Sequence, residues 1–169
     1  NGVCQQPRIR KSYDTMAAEG TAQTYIAAVN EAIARGLHQE FATEHSRQAD
    51  PTMDHHQKST FINWHRRFIL AYEDMLRSLA PEYECVTIPY WNYYHENNLL
   101  IASGGKLLDV FAICQDLPQG SATRTNWNDL DTFPGIGMAS TIATLDIDDF
   151  EEMSSNLEFT VHNGIHNWL

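Results

Sequence analysis

The chain has 169 residues, 43% of them hydrophobic and 20% charged, values typical of one globular domain that buries roughly 70% of the surface its unfolded form exposes. A formal net charge of −11, from 11 Lys and Arg against 22 Asp and Glu, argues against nucleic acid as a partner, because phosphate attracts a basic face. No apolar run approaches the roughly 20 residues that cross a bilayer, so the chain reads as soluble with no membrane partner.

In chain order, the periodicity is helical and no internal repeat interrupts it. Tyr25, Val29 and Ile33 recur every four residues in a segment that starts near Thr21 and stops at Gly36, a helix with a cap residue at each end. A second helix follows, in which Leu37, Phe41 and His45 share a face, turning His45 inward. A third, longer helix carries Trp64, Phe68, Tyr72, Met75 and Leu79, with His65 near its start and Pro81 closing it.

Val86 to Trp91 reads as a short extended piece. From Asn92 to about Met153, Gly, Asn, Asp and Pro predict long surface loops with at most one helical turn, and the acidic stretch Asp146 to Glu152 reads as solvated loop. A fourth helix is expected to start at Ser155, where Ser155-Asn-Leu-Glu158 has the form of a capping box, and to carry Glu158, His162 and His166 on one stripe. Gly164 lies between the two histidines and weakens the helix there, which suggests close packing against its backbone.

Cys4, Cys85 and Cys114 have no zinc-knuckle or redox spacing, and spacing alone leaves free thiols and disulfides both open. A disulfide would leave an odd cysteine for a partner outside this sequence. A start at Asn1, without an initiator Met or an apolar signal segment, suggests a processed product and favours an oxidising, secreted setting.

Eight histidines are many for this length. Taken singly, each reads as a surface or core residue, but His45, His56, His65, His162 and His166 fall on or beside helices that can each offer an imidazole to one core. Five imidazoles without thiolates suit Zn, Cu, Fe or Ni rather than Mg or Ca. His162-Asn-Gly-Ile-His166 lacks the Glu of the HExxH zinc-protease helix, so that general base is missing.

The stretch His56-Gln-Lys-Ser-Thr-Phe61-Ile-Asn-Trp64-His65-Arg66-Arg67-Phe68 resembles the H-x8-H element, with its F-x-x-W-H-R core, of the tyrosinase, catechol oxidase and molluscan haemocyanin superfamily. Leu157-Glu-Phe-Thr-Val-His162-Asn163-Gly-Ile-His166 resembles the second motif of that family. Ile88-Pro-Tyr-Trp91-Asn92 is similar to its P-Y-W-D segment, with Asn92 where Asp is common.

The resemblance implies a mainly α fold, a four-helix bundle housing a dicopper centre, with long irregular loops. Residues 1–169 are then a single copper domain. Two copper ions are implied, each held by three histidines, with dioxygen as co-substrate. His56 and His65 match the second and third ligands of the first copper, and Glu40-Phe-Ala-Thr-Glu-His45 makes His45 the first in preference to His38. His55 would make the spacing to His65 one residue too long.

His162 and His166 match the first two ligands of the second copper. The third is expected on a helix beyond Leu169, either in a remaining C-terminal segment of the same protein or in another chain. Asp54 stands where many members carry a Cys two residues before the second ligand, so no Cys–His crosslink is expected. Glu158 and Asn163 resemble the Glu and Asn that orient a water near the site in monophenol-active members, and are expected to serve catalysis.

The implied activity is that of a phenol oxidase, hydroxylating monophenols at the ortho position and oxidising o-diphenols to o-quinones. The alternatives are a catechol oxidase without monophenolase activity and a haemocyanin-like oxygen carrier with the same ligands. The expected partners are small phenols and dioxygen.

Overall fold

The computed structural model describes residues 4–50, 52–53, 55–90 and 138–163. Of these, 66% are helical and none lies in a sheet, as the periodicity predicts. Trp91, Asn92, His95, Cys114, Gly164 and His166, together with Asp54, lie outside the described residues, as do the loops expected from 91 to 137. Two compact units partition the chain, one of residues 1–43 with 68–117 and the other of 44–67 with 118–169. Two of the helices belong in part to each.

In the first unit, α1 (Tyr13–Ala18) is a helix that periodicity missed. Its start is nonetheless written locally: Ser12 is extended, and its hydroxyl accepts the Thr15 N–H at 3.2 Å. In α2 (Ala22–Ala34), Ala28, Val29 and Ala32 are buried with Tyr25. Small residues at every fourth position let neighbouring elements approach the backbone. Gly36, at φ +77, ends this run in a left-handed conformation that glycine adopts freely. Thr21 stands at the expected N-cap, but its hydroxyl donates to the Met16 carbonyl at 3.3 Å instead of capping the helix.

Leu37–Gln48 form α3 and Phe61–Ser78 form α4. Leu76 is fully buried in the core with Tyr13, Met16, Tyr25, Val29 and Val86, while Tyr72, Met75 and Leu79 pack against it. Pro81 opens a 3-10 turn, Pro81–Tyr83, where its missing N–H is not needed. From Val86 the chain is non-helical as far as Tyr90, whose N–H donates to Lys11 O at 3.0 Å and whose carbonyl accepts the Tyr13 N–H at 3.2 Å.

Burying the Glu73 carboxylate, 1% exposed, is tolerable because it accepts hydrogen bonds from Arg10 Nε at 3.1 Å and the Ile88 N–H at 2.9 Å. A Cys4–Cys85 disulfide ties the same N-terminal segment down across 81 residues. Closing a loop of that length removes chain entropy from the unfolded state, worth about 4–5 kcal/mol in the loop-entropy account.

Helices α5 (Met138–Leu145) and α6 (Phe150–Leu157) lie in the second unit, where loop was expected up to Met153. The expected start at Ser155 is corrected by this structure. Asp149, not Ser155, is the N-cap, accepting the Glu152 N–H at 2.8 Å, so Ser155 and Glu158 form no capping box. Glu151 and Glu152 occupy the first turn, where negative charge favours a helix start, and this explains why part of the acidic stretch is helix rather than solvated loop.

After Leu157 the helix widens into a π turn, Glu158–His162, in which the Asn163 N–H reaches back five residues to Glu158 O. Thr160 Oγ1 donates to Asn156 O at 2.6 Å, occupying the carbonyl that an α ladder would give to the Thr160 N–H. That competition between hydroxyl and amide coincides with the slip from i→i+4 to i→i+5 bonding. Phe61 and Val161 are buried in this unit, and Thr144 Oγ1 donates to Asn156 Oδ1 at 3.0 Å between α5 and α6.

Candidate metal centre

Three half-buried imidazoles meet in the second unit. One comes from the last turn of α3 (His45), one from the loop after it (His56) and one from the second turn of α4 (His65). Each offers a ring nitrogen, and the three nitrogens lie within 4.8 Å of one another. Ring centroids stand 5.3 Å apart for His45–His56, 5.4 Å for His45–His65 and 4.8 Å for His56–His65, all near right angles.

Backbone carbonyls fix the proton positions on two of the rings. His56 Nδ1 donates to Gln48 O at 3.0 Å, and His65 Nδ1 donates to Phe61 O at 2.8 Å. A carbonyl only accepts, so in each neutral ring Nδ1 carries the hydrogen and Nε2 keeps the lone pair. The Gln48 carbonyl is available because it belongs to the last residue of α3, where helical carbonyls have no intrahelical partner.

His65 Nε2 then approaches His45 Nε2 at 3.3 Å. Two ligands of a tetrahedral ion with bonds of about 2.0–2.1 Å are separated by roughly this distance. Three imidazoles with converging ring nitrogens, two of them held through Nδ1 by backbone carbonyls, are the donor set of a late first-row transition metal. The residues present fit such an ion.

Trp64 walls this cluster. Its indole lies 4.8 Å from the His65 ring, 6.0 Å from His45 and 6.1 Å from His56. His55 stacks on the same indole, at 5.2 Å and 15°, and is not in the converging set. His38 is also absent from it. It shares a hydrogen bond with the Tyr72 hydroxyl at 2.8 Å in the first unit, where burial lowers its pKa.

His162 is brought to the edge of the cluster, its ring 5.7 Å from His65, 6.5 Å from His56 and 4.8 Å from the buried Phe61. Its Nδ1 donates to Asn163 Oδ1 at 3.1 Å, the same tautomer as His56 and His65. Glu158, 2% exposed, spends both carboxylate oxygens on one donor, the Gln57 N–H, at 2.9 and 2.8 Å. Sequence reasoning did not single out Gln57, Gln48 or the packing role of Trp64. Gln57 and Trp64 lay within a recognised motif, and Gln48 did not.

The common central domain of tyrosinase matches residues 32–128, a span that contains His45, His56 and His65 and stops before Glu158 and His162. Among curated proteins, a tyrosinase of Streptomyces glaucescens is 31% identical over 90 residues, covering 50% of this chain and 31% of its own length. A grixazone synthase of Streptomyces griseus subsp. griseus is 33% identical over 95 residues, covering 50% and 29%. A tyrosinase of Streptomyces antibioticus is 30% identical over 90 residues, covering 50% and 32%. The match thus spans about a third of the length of these relatives. No solved structure matches the chain.

Proposed function

Because the chain belongs to the tyrosinase family, we propose that it serves a copper-dependent phenol oxidase that hydroxylates monophenols at the ortho position and oxidises o-diphenols to o-quinones with dioxygen. The observation that carries this reading is the convergence of His45, His56 and His65 inside the matched span. These three residues hold one copper, and His162 with His166 contributes to a second. Bound copper supplies reversible one-electron chemistry, and a pair of ions can take the two electrons of a catechol.

The chain's own residues orient and move protons around that centre. Gln48 O and Phe61 O hold the His56 and His65 rings in the tautomer that presents Nε2. Asn163 does the same for His162. Each Glu158 oxygen uses one lone pair on Gln57 and keeps another for a water, through which the proton of a monophenol can be accepted. The Cys4–Cys85 disulfide supports a secreted protein, since such bonds persist in oxidising compartments.

The test is copper analysis of the full-length protein together with dioxygen uptake on a simple catechol and a simple monophenol. Turnover of both establishes the proposal, and turnover of the catechol alone makes the protein a catechol oxidase. Reversible dioxygen binding without turnover makes it a carrier, and absence of bound copper overturns the reading.

A further inference from the structure

We infer that Glu158 is a positioning residue for His56, its buried carboxylate clamping the Gln57 backbone in a left-handed turn and thereby fixing the direction in which the neighbouring imidazole presents Nε2. The inference rests on the copper reading above. Gln57 has φ 56, and it is the one non-glycine residue with positive φ among the described residues. Such a conformation is uphill for a side chain with a Cβ and persists only where the surroundings impose it. The Gln57 side chain is exposed, so packing of that side chain does not impose it.

What holds it is the carboxylate, 101 residues away in sequence, receiving the Gln57 N–H symmetrically at 2.9 and 2.8 Å. His56 is then fixed on both sides, its ring by Gln48 O and the peptide that follows it by Glu158. Neither anchor alone determines the ring direction, because a free peptide on one side lets the residue rotate about its own backbone.

Among the described residues, the Glu158 carboxylate has no partner other than the Gln57 N–H to account for its burial. It lies beyond the middle of the helical run 150–163, where a carboxylate gains nothing from the helix dipole, and Asp149 already caps that run. The π turn that begins at Glu158 also carries His162. One turn of helix therefore presents an imidazole of its own and sets the attitude of another imidazole on a different segment.

The experiment uses the full-length protein and four variants: Glu158→Ala, Glu158→Gln, Gln57→Gly and the double variant Glu158→Ala with Gln57→Gly. Two quantities are read: hydrogen exchange at the Gln57 amide without metal, and the rate at which a chelator removes copper. Far-ultraviolet circular dichroism reports whether each variant folds. Glu158→Ala should expose the Gln57 amide to exchange and speed copper loss from one of the sites about 10–100-fold, the range seen when a group orienting a ligand is lost.

Glu158→Gln keeps one acceptor oxygen and should fall between the wild type and Glu158→Ala. Glycine adopts positive φ without strain, so the double variant should recover part of the copper retention that Glu158→Ala loses. A purely structural role for Glu158 predicts no such recovery. Unchanged amide protection and copper retention in a folded Glu158→Ala protein overturns the inference, as does a loss that Gln57→Gly does not relieve. If the wild type holds no copper, the functional proposal fails instead, and amide exchange still tests the clamp.

Discussion

Phe61 stands edge-on to His162 with ring centroids 4.8 Å apart, and closer still, at 4.4 Å, to His65. One buried phenyl ring thus supports an imidazole from α4 and another from the π turn, while its backbone carbonyl holds the His65 tautomer. Phe61→Ala should destabilise the protein by about 3–5 kcal/mol through lost burial and the cavity left behind. It should also loosen both imidazoles. Chemical denaturation and copper retention on the same preparation check the two effects, and a stability loss without faster copper release would separate Phe61 from the metal centre.

Removing a ligand is the more direct perturbation. His65→Ala should empty the site formed with His45 and His56, reducing bound copper by one ion per chain and abolishing oxidase activity, because two remaining imidazoles hold the ion weakly. Metal analysis after dialysis reads this, and full copper content with normal turnover would remove His65 from the ligand set.

Proton transfer at Glu158 separates the two phenol reactions. Glu158→Gln preserves an acceptor for the Gln57 N–H but abolishes the base, so kcat/KM on a monophenol should fall about 100-fold or more while that on a catechol changes much less. Steady-state rates on both substrates decide it. Equal losses would point to copper or helix damage rather than to a missing base.

A pH effect on stability comes from His38, which is on α3 but outside the converging set of histidines. Burial lowers its pKa, so the folded protein prefers the neutral ring that pairs with Tyr72 more than the unfolded chain does. Its contribution is therefore complete above the unfolded value of about 6.5 and is lost as pH falls from there through the lower folded value. Urea unfolding midpoints of metal-free protein at pH 7.5 and pH 5 should drop less in His38→Gln than in the wild type. An identical drop would mean that other groups govern the acid side.

The helical class was legible because burial repeats with the helix period. Tyr25 and Val29 on α2, and Tyr72 and Met75 on α4, line or pack against the core that their spacing anticipates. The convergence of His56 and His65 was legible for a local reason, since a loop and one helical turn separate them. The fourth helix start was misread because Asp149-x-x-Glu152 and Ser155-x-x-Glu158 have the same form, and only the backbone shows which donor is orphaned.

The clamp of Glu158 on Gln57 was not legible at all. It joins residues 101 positions apart through a backbone amide, which has no identity in the sequence, at a φ that nothing about glutamine announces. Glu158 was selected as a functional residue on resemblance, but its hydrogen-bond partner belongs to tertiary structure. His38 illustrates the converse. Its residue type allowed a ligand role, and only the Tyr72 hydroxyl beside it shows a half-buried histidine with its hydrogen bond satisfied.

The π turn amounts to one residue more than an α-helix needs between Glu158 and Asn163. Deleting Thr160 would remove both the surplus residue and the hydroxyl that competes for Asn156 O, and the helix could close its ladder regularly. The same deletion would put His162 three residues after Glu158 instead of four and so change the direction in which its imidazole leaves the helix. A chain so shortened should melt at a higher temperature and hold less copper. In that sense the turn holds one residue whose removal favours folding and penalises the metal, and selection for stability alone would be expected to erase it.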